Sequence, residues 1–265
     1  MPGVPYEMKA MTENYLIPYF QQHAEGAVIR HRTIKTTGIP ESFLFQQLGD
    51  LDQLLHGAKL AFLPAPTGVR LRITVRENDV AIAEKKIREV ETRIRAKAEK
   101  YIYGIDNEEL EEVIGRMLNE RKLTIAVAES CTGGLITDKI TDVSGSSSYF
   151  ERGVIAYSNR SKIEILKVSK ELIEKHGAVS NEVAKAMAEG VRQIAGADIG
   201  ISTTGIAGPT GGTPEKPVGL VWIAYSDRNE TLALKFNLGD DRRRVKERAS
   251  QAALELVRRK LLKID

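Results

Sequence analysis

The chain has 265 residues, 42% of them apolar, with 39 basic side chains against 36 acidic ones. That length and composition suit two packed domains, while a net charge of +3 is by itself too weak to argue for a nucleic-acid partner. A single cysteine, Cys131, and four scattered histidines leave no disulfide framework and no metal-ligand spacing, and no apolar run approaches the ~20 residues of a membrane helix, so a cytoplasmic protein with no metal and no membrane association is expected.

Residues 1–26 open on the turn Pro2-Gly3-Val4-Pro5 and continue with helix-like apolar spacing from Tyr6 to Gln22, which reads as the tail of a larger domain. Residues 27–104 read as a small α+β domain. Val28 to Thr37 alternates as a strand does, Pro40-Glu41-Ser42 starts a helix through Leu54, and Leu60–Leu63 and Val69–Val75 are strands joined by a Pro/Gly turn. Asn78 to Lys100 is a long charged helix with Val80, Ala83, Ile87, Val90 and Ile94 at helical spacing.

Residues 105–265 form the second domain. Asp106 is placed to cap a helix over 107–121, and Leu123–Ala128 is an apolar strand of the buried α/β type. A helix over 132–141, a strand over 153–157 and helices over 159–167 and 181–195 follow. Ile199–Thr204 is a strand, Gly219–Tyr225 and Thr231–Leu238 form a hairpin, and Asp240–Leu262 is the closing helix. Strands linked through helices together with one hairpin predict an α/β sandwich with a mixed sheet.

Two hydroxyl-rich turns carry the candidate chemistry. Ser130, Cys131, Thr132, Gly133 and Gly134 sit where a strand turns into a helix, a geometry suited to an anion or an oxyanion. Gly145-Ser146-Ser147-Ser148 is the second turn, and Tyr157 and Lys162 follow it at short range. A buried lysine releases its proton readily and can then deprotonate a serine hydroxyl, which is how a serine amidase works without histidine. Ser147 ranks first as nucleophile, Ser130 second and Cys131 third, the last because a lone cysteine is more often a core filler. Thr204 and Gly205 stand at the base of the Gly/Pro-rich loop over 205–217, and an arginine among Arg242, Arg243 and Arg244 can grip a phosphate.

Ala128-Glu129-Ser130-Cys131-Thr132-Gly133-Gly134, Gly145-Ser146-Ser147, Tyr157-Ser158-Asn159, His176-Gly177-Ala178-Val179-Ser180, Gly205-Ile206-Ala207-Gly208-Pro209 and Lys216-Pro217-Val218-Gly219 together resemble the CinA family, the competence- and damage-inducible proteins A. The resemblance implies a nicotinamide mononucleotide deamidase in the second domain, releasing nicotinate mononucleotide and ammonia without a cofactor. It places the nucleophile on Ser147 with Tyr157 and Lys162 beside it. The nucleotide site would fall on Ser130 to Gly134 and Thr204, with Arg244 on the substrate phosphate. It also implies a homodimer, a KH-like domain over 27–104 and, over 1–26, the remnant of a molybdopterin-binding-like domain. The competing expectation is a nucleic-acid-binding or nucleotide-sensing regulator; it is weakened because the Gly-x-x-Gly loop of an RNA-binding KH fold does not occur between Val28 and Tyr103.

Overall fold

The computed structural model describes residues 4–23 and 27–264. Pro2, Gly3 and Gly26, part of the expected N-terminal remnant, lie outside the described residues. From Pro5 the chain is helical as its apolar spacing predicts: α1 (Pro5–Met11) and α2 (Ile17–His23) are joined by a π-helical turn, and neither helix buries a residue.

The first unit is an antiparallel sheet of β1 (Val28–Thr36), β2 (Lys59–Ala65), β3 (Gly68–Glu77) and β4 (Ile102–Ile105) in the order β2-β3-β1-β4. Period-two alternation sends Val69, Leu71, Ile73 and Val75 to one face, against Ile87, Val90 and Ile94 of α5 (Val80–Ala98) and Leu44 and Leu48 of α3 (Glu41–Leu48). The single helix expected up to Leu54 is two. Gly49 takes φ 72°, and the Asp50 side chain accepts from the N–H groups of Asp52 and Gln53 to start α4 (Leu51–Leu55). The other sheet face is covered by the second unit at Lys35 and open elsewhere, with Lys59, Arg70, Arg72 and Arg76 exposed along it.

Asp106 is not the cap of the next helix. Its carboxylate accepts from Thr33 N–H at 2.9 Å and pairs with Arg32 at 3.0 Å, tying β1 to the junction. α6 (Leu110–Arg121) starts instead from Glu109, which forms a reciprocal capping box with Glu112.

The second unit is a mixed five-stranded sheet in the order β6-β5-β7-β8-β9. β5 (Ile125–Glu129) lies parallel between β6 (Phe150–Ile155) and β7 (Ile199–Gly205), and β8 (Leu220–Ser226) and β9 (Thr231–Asn237) add as the antiparallel hairpin. α6, α7 (Leu135–Thr141) and α11 (Arg242–Leu262) pack on one face, where Ile125 and Val127 point. α8 (Asn159–Glu164), α9 (Lys170–His176) and α10 (Asn181–Ala195) flank the other face, where Ala126 and Ala128 point. The expected sandwich with a mixed sheet is therefore the observed one.

Buried side chains join the units. Arg258 of α11 donates to the carbonyls of Lys100 at 2.5 Å and Ile102 at 3.3 Å, and Lys35 of β1 pairs with Glu109 at 2.7 Å. Beside this seam is an apolar cavity of about 620 Å³ walled by Pro64, Pro66, Leu234 and Phe236.

Candidate active site

Parallel strands place a crevice at their carboxyl ends. In this sheet that edge collects the residue after β5, the loop after β6 and the end of β7. Ser130 directly follows β5, pinned by its N–H donating to Thr203 O at 3.0 Å. The chain then reverses through Gly133 (φ 64°) and Gly134 (φ 99°), a left-handed pair that a side chain would strain.

The turn is held from below by Glu129, the last residue of β5, which is fully buried. One carboxylate oxygen accepts from the N–H groups of Gly134 at 2.9 Å and Ile136 at 3.2 Å. The other accepts from the N–H and hydroxyl of Thr137, both at 2.8 Å. The Gly134, Ile136 and Thr137 donors at the start of α7 are thus taken by the protein's own carboxylate and are not free for a substrate anion. Past Ser130, the N–H groups of Cys131 and Thr132 make no backbone–backbone hydrogen bond and are turned towards the Cys131 sulfur instead.

Lys162 comes in from α8, whose first turn is capped by Ser158 accepting from Ser161 N–H at 3.1 Å. Only 1% of Lys162 is exposed. Its Nζ lies 3.1 Å from Ser130 Oγ and 2.8 Å from Ala156 O, with no carboxylate paired to it among the described residues. Burial without a counter-charge lowers its pKa below the ordinary lysine value. Cys131 responds in the opposite sense: burial, with the nearby charge of Glu129, pushes its thiol up to about 12, so it stays protonated at neutral pH.

Ser130 and Lys162 open into a cavity of about 280 Å³. Its walls include Thr204, whose hydroxyl donates to Ala178 O at 2.8 Å, and Gly205. At the mouth Tyr157 is 61% exposed, and its hydroxyl accepts from Arg242 at 3.1 Å, while Arg242 also donates to Gly208 O at 2.8 Å. Among the described residues, the larger cavity at the seam holds no comparable pairing of a hydroxyl with a buried amine.

Of the expected site residues, the structure brings together Ser130, Tyr157, Lys162, Thr204 and Gly205. Ser147 is elsewhere. It sits exposed in a 3-10 turn that precedes β6, and Tyr149 O accepts from Ile125 N–H at the opposite, amino end of β5. Because β5 and β6 are parallel, the length of a five-residue strand, roughly 15 Å, separates that turn from Ser130. Thr132 is buried with its hydroxyl 2.7 Å from that of Thr203, and Gly133 and Gly134 shape the turn rather than line the cavity. Arg244 is exposed away from the cavity; Arg242, two residues earlier, occupies the position expected of it. Glu129 is the residue of this turn that pattern reading missed, while Arg242 is one of the three arginines it left open before the resemblance favoured Arg244. A carboxylate just ahead of a hydroxyl–Gly-Gly turn was the available signal for Glu129.

Residues 107–261 match the family described as the CinA C-terminal domain, and residues 31–104 the family described as the damage-inducible protein CinA KH domain. A putative competence-damage inducible protein of Caldicellulosiruptor saccharolyticus is 46% identical over 262 residues, covering 99% of this chain and 64% of that protein. A CinA-like protein of Syntrophus aciditrophicus is 45% identical over 264 residues, covering 98% and 63%. The chain thus spans just under two thirds of the length of these curated relatives. Among solved structures, the competence/damage inducible protein CihA from Agrobacterium tumefaciens superposes with a TM-score of 0.54 at 37% identity, over 56% of this chain and 94% of its own. The competence damage-inducible protein A from Klebsiella pneumoniae gives 0.56 at 33% identity, over 58% and 95%.

Proposed function

The chain belongs to the CinA family, and on that premise we propose that its second unit is an amidohydrolase that converts nicotinamide mononucleotide to nicotinate mononucleotide and ammonia, with Ser130 as nucleophile and Lys162 as its base. The observation that carries this is the buried, carboxylate-free Lys162 amine 3.1 Å from the Ser130 hydroxyl. Neutral Lys162 takes the Ser130 proton as Oγ attacks the carboxamide carbon. The carbonyl oxygen becomes an oxyanion, for which Cys131 N–H and Thr132 N–H, held by no backbone carbonyl and only weakly by the Cys131 sulfur, are the donors. Lys162 returns the proton to the nitrogen, the C–N bond breaks and ammonia leaves. Water, deprotonated by the same amine, then opens the acyl ester to free the carboxylic acid and restore Ser130. Ala156 O keeps the amine aimed throughout, since it accepts one of its hydrogens.

Arg242 at the mouth is the group for the nucleotide phosphate, because its fork suits bidentate phosphate contacts and it already holds Tyr157. Tyr157, at 61% exposure, serves better as a wall for the substrate than as a proton carrier in the floor of the site.

The test is ammonia release from nicotinamide mononucleotide by the parent chain, Ser130→Ala and Ser147→Ala. The expected result is a loss of roughly three orders of magnitude or more in kcat for Ser130→Ala and a change within about twofold for Ser147→Ala. Activity that survives in the first variant and vanishes in the second would return the nucleophile to Ser147.

A further inference from the structure

The open part of the first sheet's outer face is basic along its whole length. Arg70, Arg72 and Arg76 share it because they alternate with the buried Val69, Leu71, Ile73 and Val75. Lys59 of β2 and His31 of β1 lie opposite Thr74 on either side, filling the one gap in the row. The outward positions of β1, β2 and β3 hold no Asp or Glu, and the one carboxylate that reaches this face from the second unit, Glu109, is paired with the buried Lys35 at its inner end. The arginines of β1 on the helix-covered face contrast with these: Arg30 pairs with Glu84, and Arg32 with Glu91 and Asp106. Lys59, Arg70, Arg72 and Arg76 make no ion pair among the described residues.

We propose that this face is a docking platform for the sugar-phosphate backbone of single-stranded nucleic acid. Arg70 and Arg72 stand about 7 Å apart along β3, and the whole band runs for about 20 Å. It is one strand wide, so it follows a single phosphate chain rather than the two chains of a duplex or the broad headgroup plane of a membrane. Guanidinium forks grip phosphate oxygens in pairs, and their planes accept stacked bases in place of the aromatic side chains that this face lacks. The exposed Ile29 and Leu63, one strand out on each side, offer apolar contact to bases splayed off the band. Binding of this kind is sequence-tolerant and salt-sensitive. It differs from the Gly-x-x-Gly clamp of an RNA-binding KH fold, and it rests on clustering rather than on the net charge of +3, since carboxylates elsewhere on the chain balance a band that is locally basic.

The experiment is fluorescence anisotropy of a labelled mixed-sequence single-stranded oligonucleotide with the full 265-residue chain over a range of salt, beside the Arg70→Ala/Arg72→Ala/Arg76→Ala variant. The same-sequence duplex and phosphatidylcholine–phosphatidylserine vesicles are the competing probes. The expected result is binding to the single strand that weakens with salt. In the variant, affinity falls roughly tenfold or more and the log–log salt slope shrinks by about 2, since each phosphate contact on a single strand contributes ~0.7. Nicotinamide mononucleotide hydrolysis and the thermal midpoint stay at parent values. No single-strand binding at low salt, equal binding by the variant, or binding only to the duplex or the vesicles would each overturn the proposal.

Discussion

The Lys162 amine has lost its water and gained no carboxylate, so its protonated form is penalised in the folded chain and not in the unfolded one. The sign follows from linkage. Its folded pKa lies below the ordinary 10.5, so between those two values the unfolded chain binds more protons and stability rises with pH. Below the folded pKa the penalty is at its full size. Lys162→Met is therefore expected to raise the thermal midpoint at neutral pH, with the gain over the parent shrinking as pH climbs towards 10.5, while amide hydrolysis disappears. The parent's kcat/KM should rise with pH as the amine loses its proton. Calorimetry at neutral and alkaline pH beside a pH–rate profile checks both halves. A flat profile, or a variant less stable than the parent at pH 7, would remove Lys162 as the base.

On the scale of elements, the site depends on how β5 hands over to α7, and Glu129 governs that step. Its buried carboxylate accepts four hydrogen bonds, three of them from backbone N–H groups of the turn and helix. Glu129→Gln keeps the shape but turns an amide NH₂ towards those donors. A loss of about 2–3 kcal/mol is expected, the scale of a hydrogen bond to a charged group together with an unmatched buried donor. Because Glu129 is a positioning residue that never meets substrate, kcat should fall while KM changes little. Denaturant midpoints and steady-state kinetics separate these effects; an unchanged midpoint would mean that the turn stands without the carboxylate. The same handover shows what pattern reading can reach. Helix and strand periodicity located β5, α10, the β8–β9 hairpin and α11 within a few residues, because burial on one face writes itself into spacing. It could not say which end of a strand a turn occupies. Ser147 is close to Tyr157 in sequence because β6 runs between them, and that strand carries them to opposite edges of the sheet. β4, four residues with a glycine inside, is too short to leave a period, and Asp106 resembles a cap until Thr33 and Arg32 are brought beside it.

At the scale of the molecule, the two units are held at a seam where the buried Arg258 stands beside the Lys35–Glu109 pair. Arg258 donates to both oxygens of the Glu255 carboxylate at 2.7 and 2.9 Å and reaches across to the Lys100 and Ile102 carbonyls, while Arg259 shares Glu255 Oε1 with it at 3.0 Å. Removing one member of a buried ionic cluster costs about 3–5 kcal/mol, because the charge left behind keeps its desolvation and loses its partner. Arg258→Ala should thus lower the thermal midpoint of the whole chain. The carbonyls it strands belong to the segment that leads into β4, so the first sheet should melt ahead of the second, splitting one calorimetric transition into two. Hydrolysis of nicotinamide mononucleotide should change by no more than about twofold at 25 °C, since Arg258 is sixteen residues along α11 from Arg242, about 24 Å at 1.5 Å per residue. Arg258→Met, which fills the space without leaving a cavity, should recover part of the midpoint and not the coupling. A single unshifted transition in Arg258→Ala would mean that the two sheets are held together by the apolar contacts around α11 and that the buried arginine adds nothing to the seam.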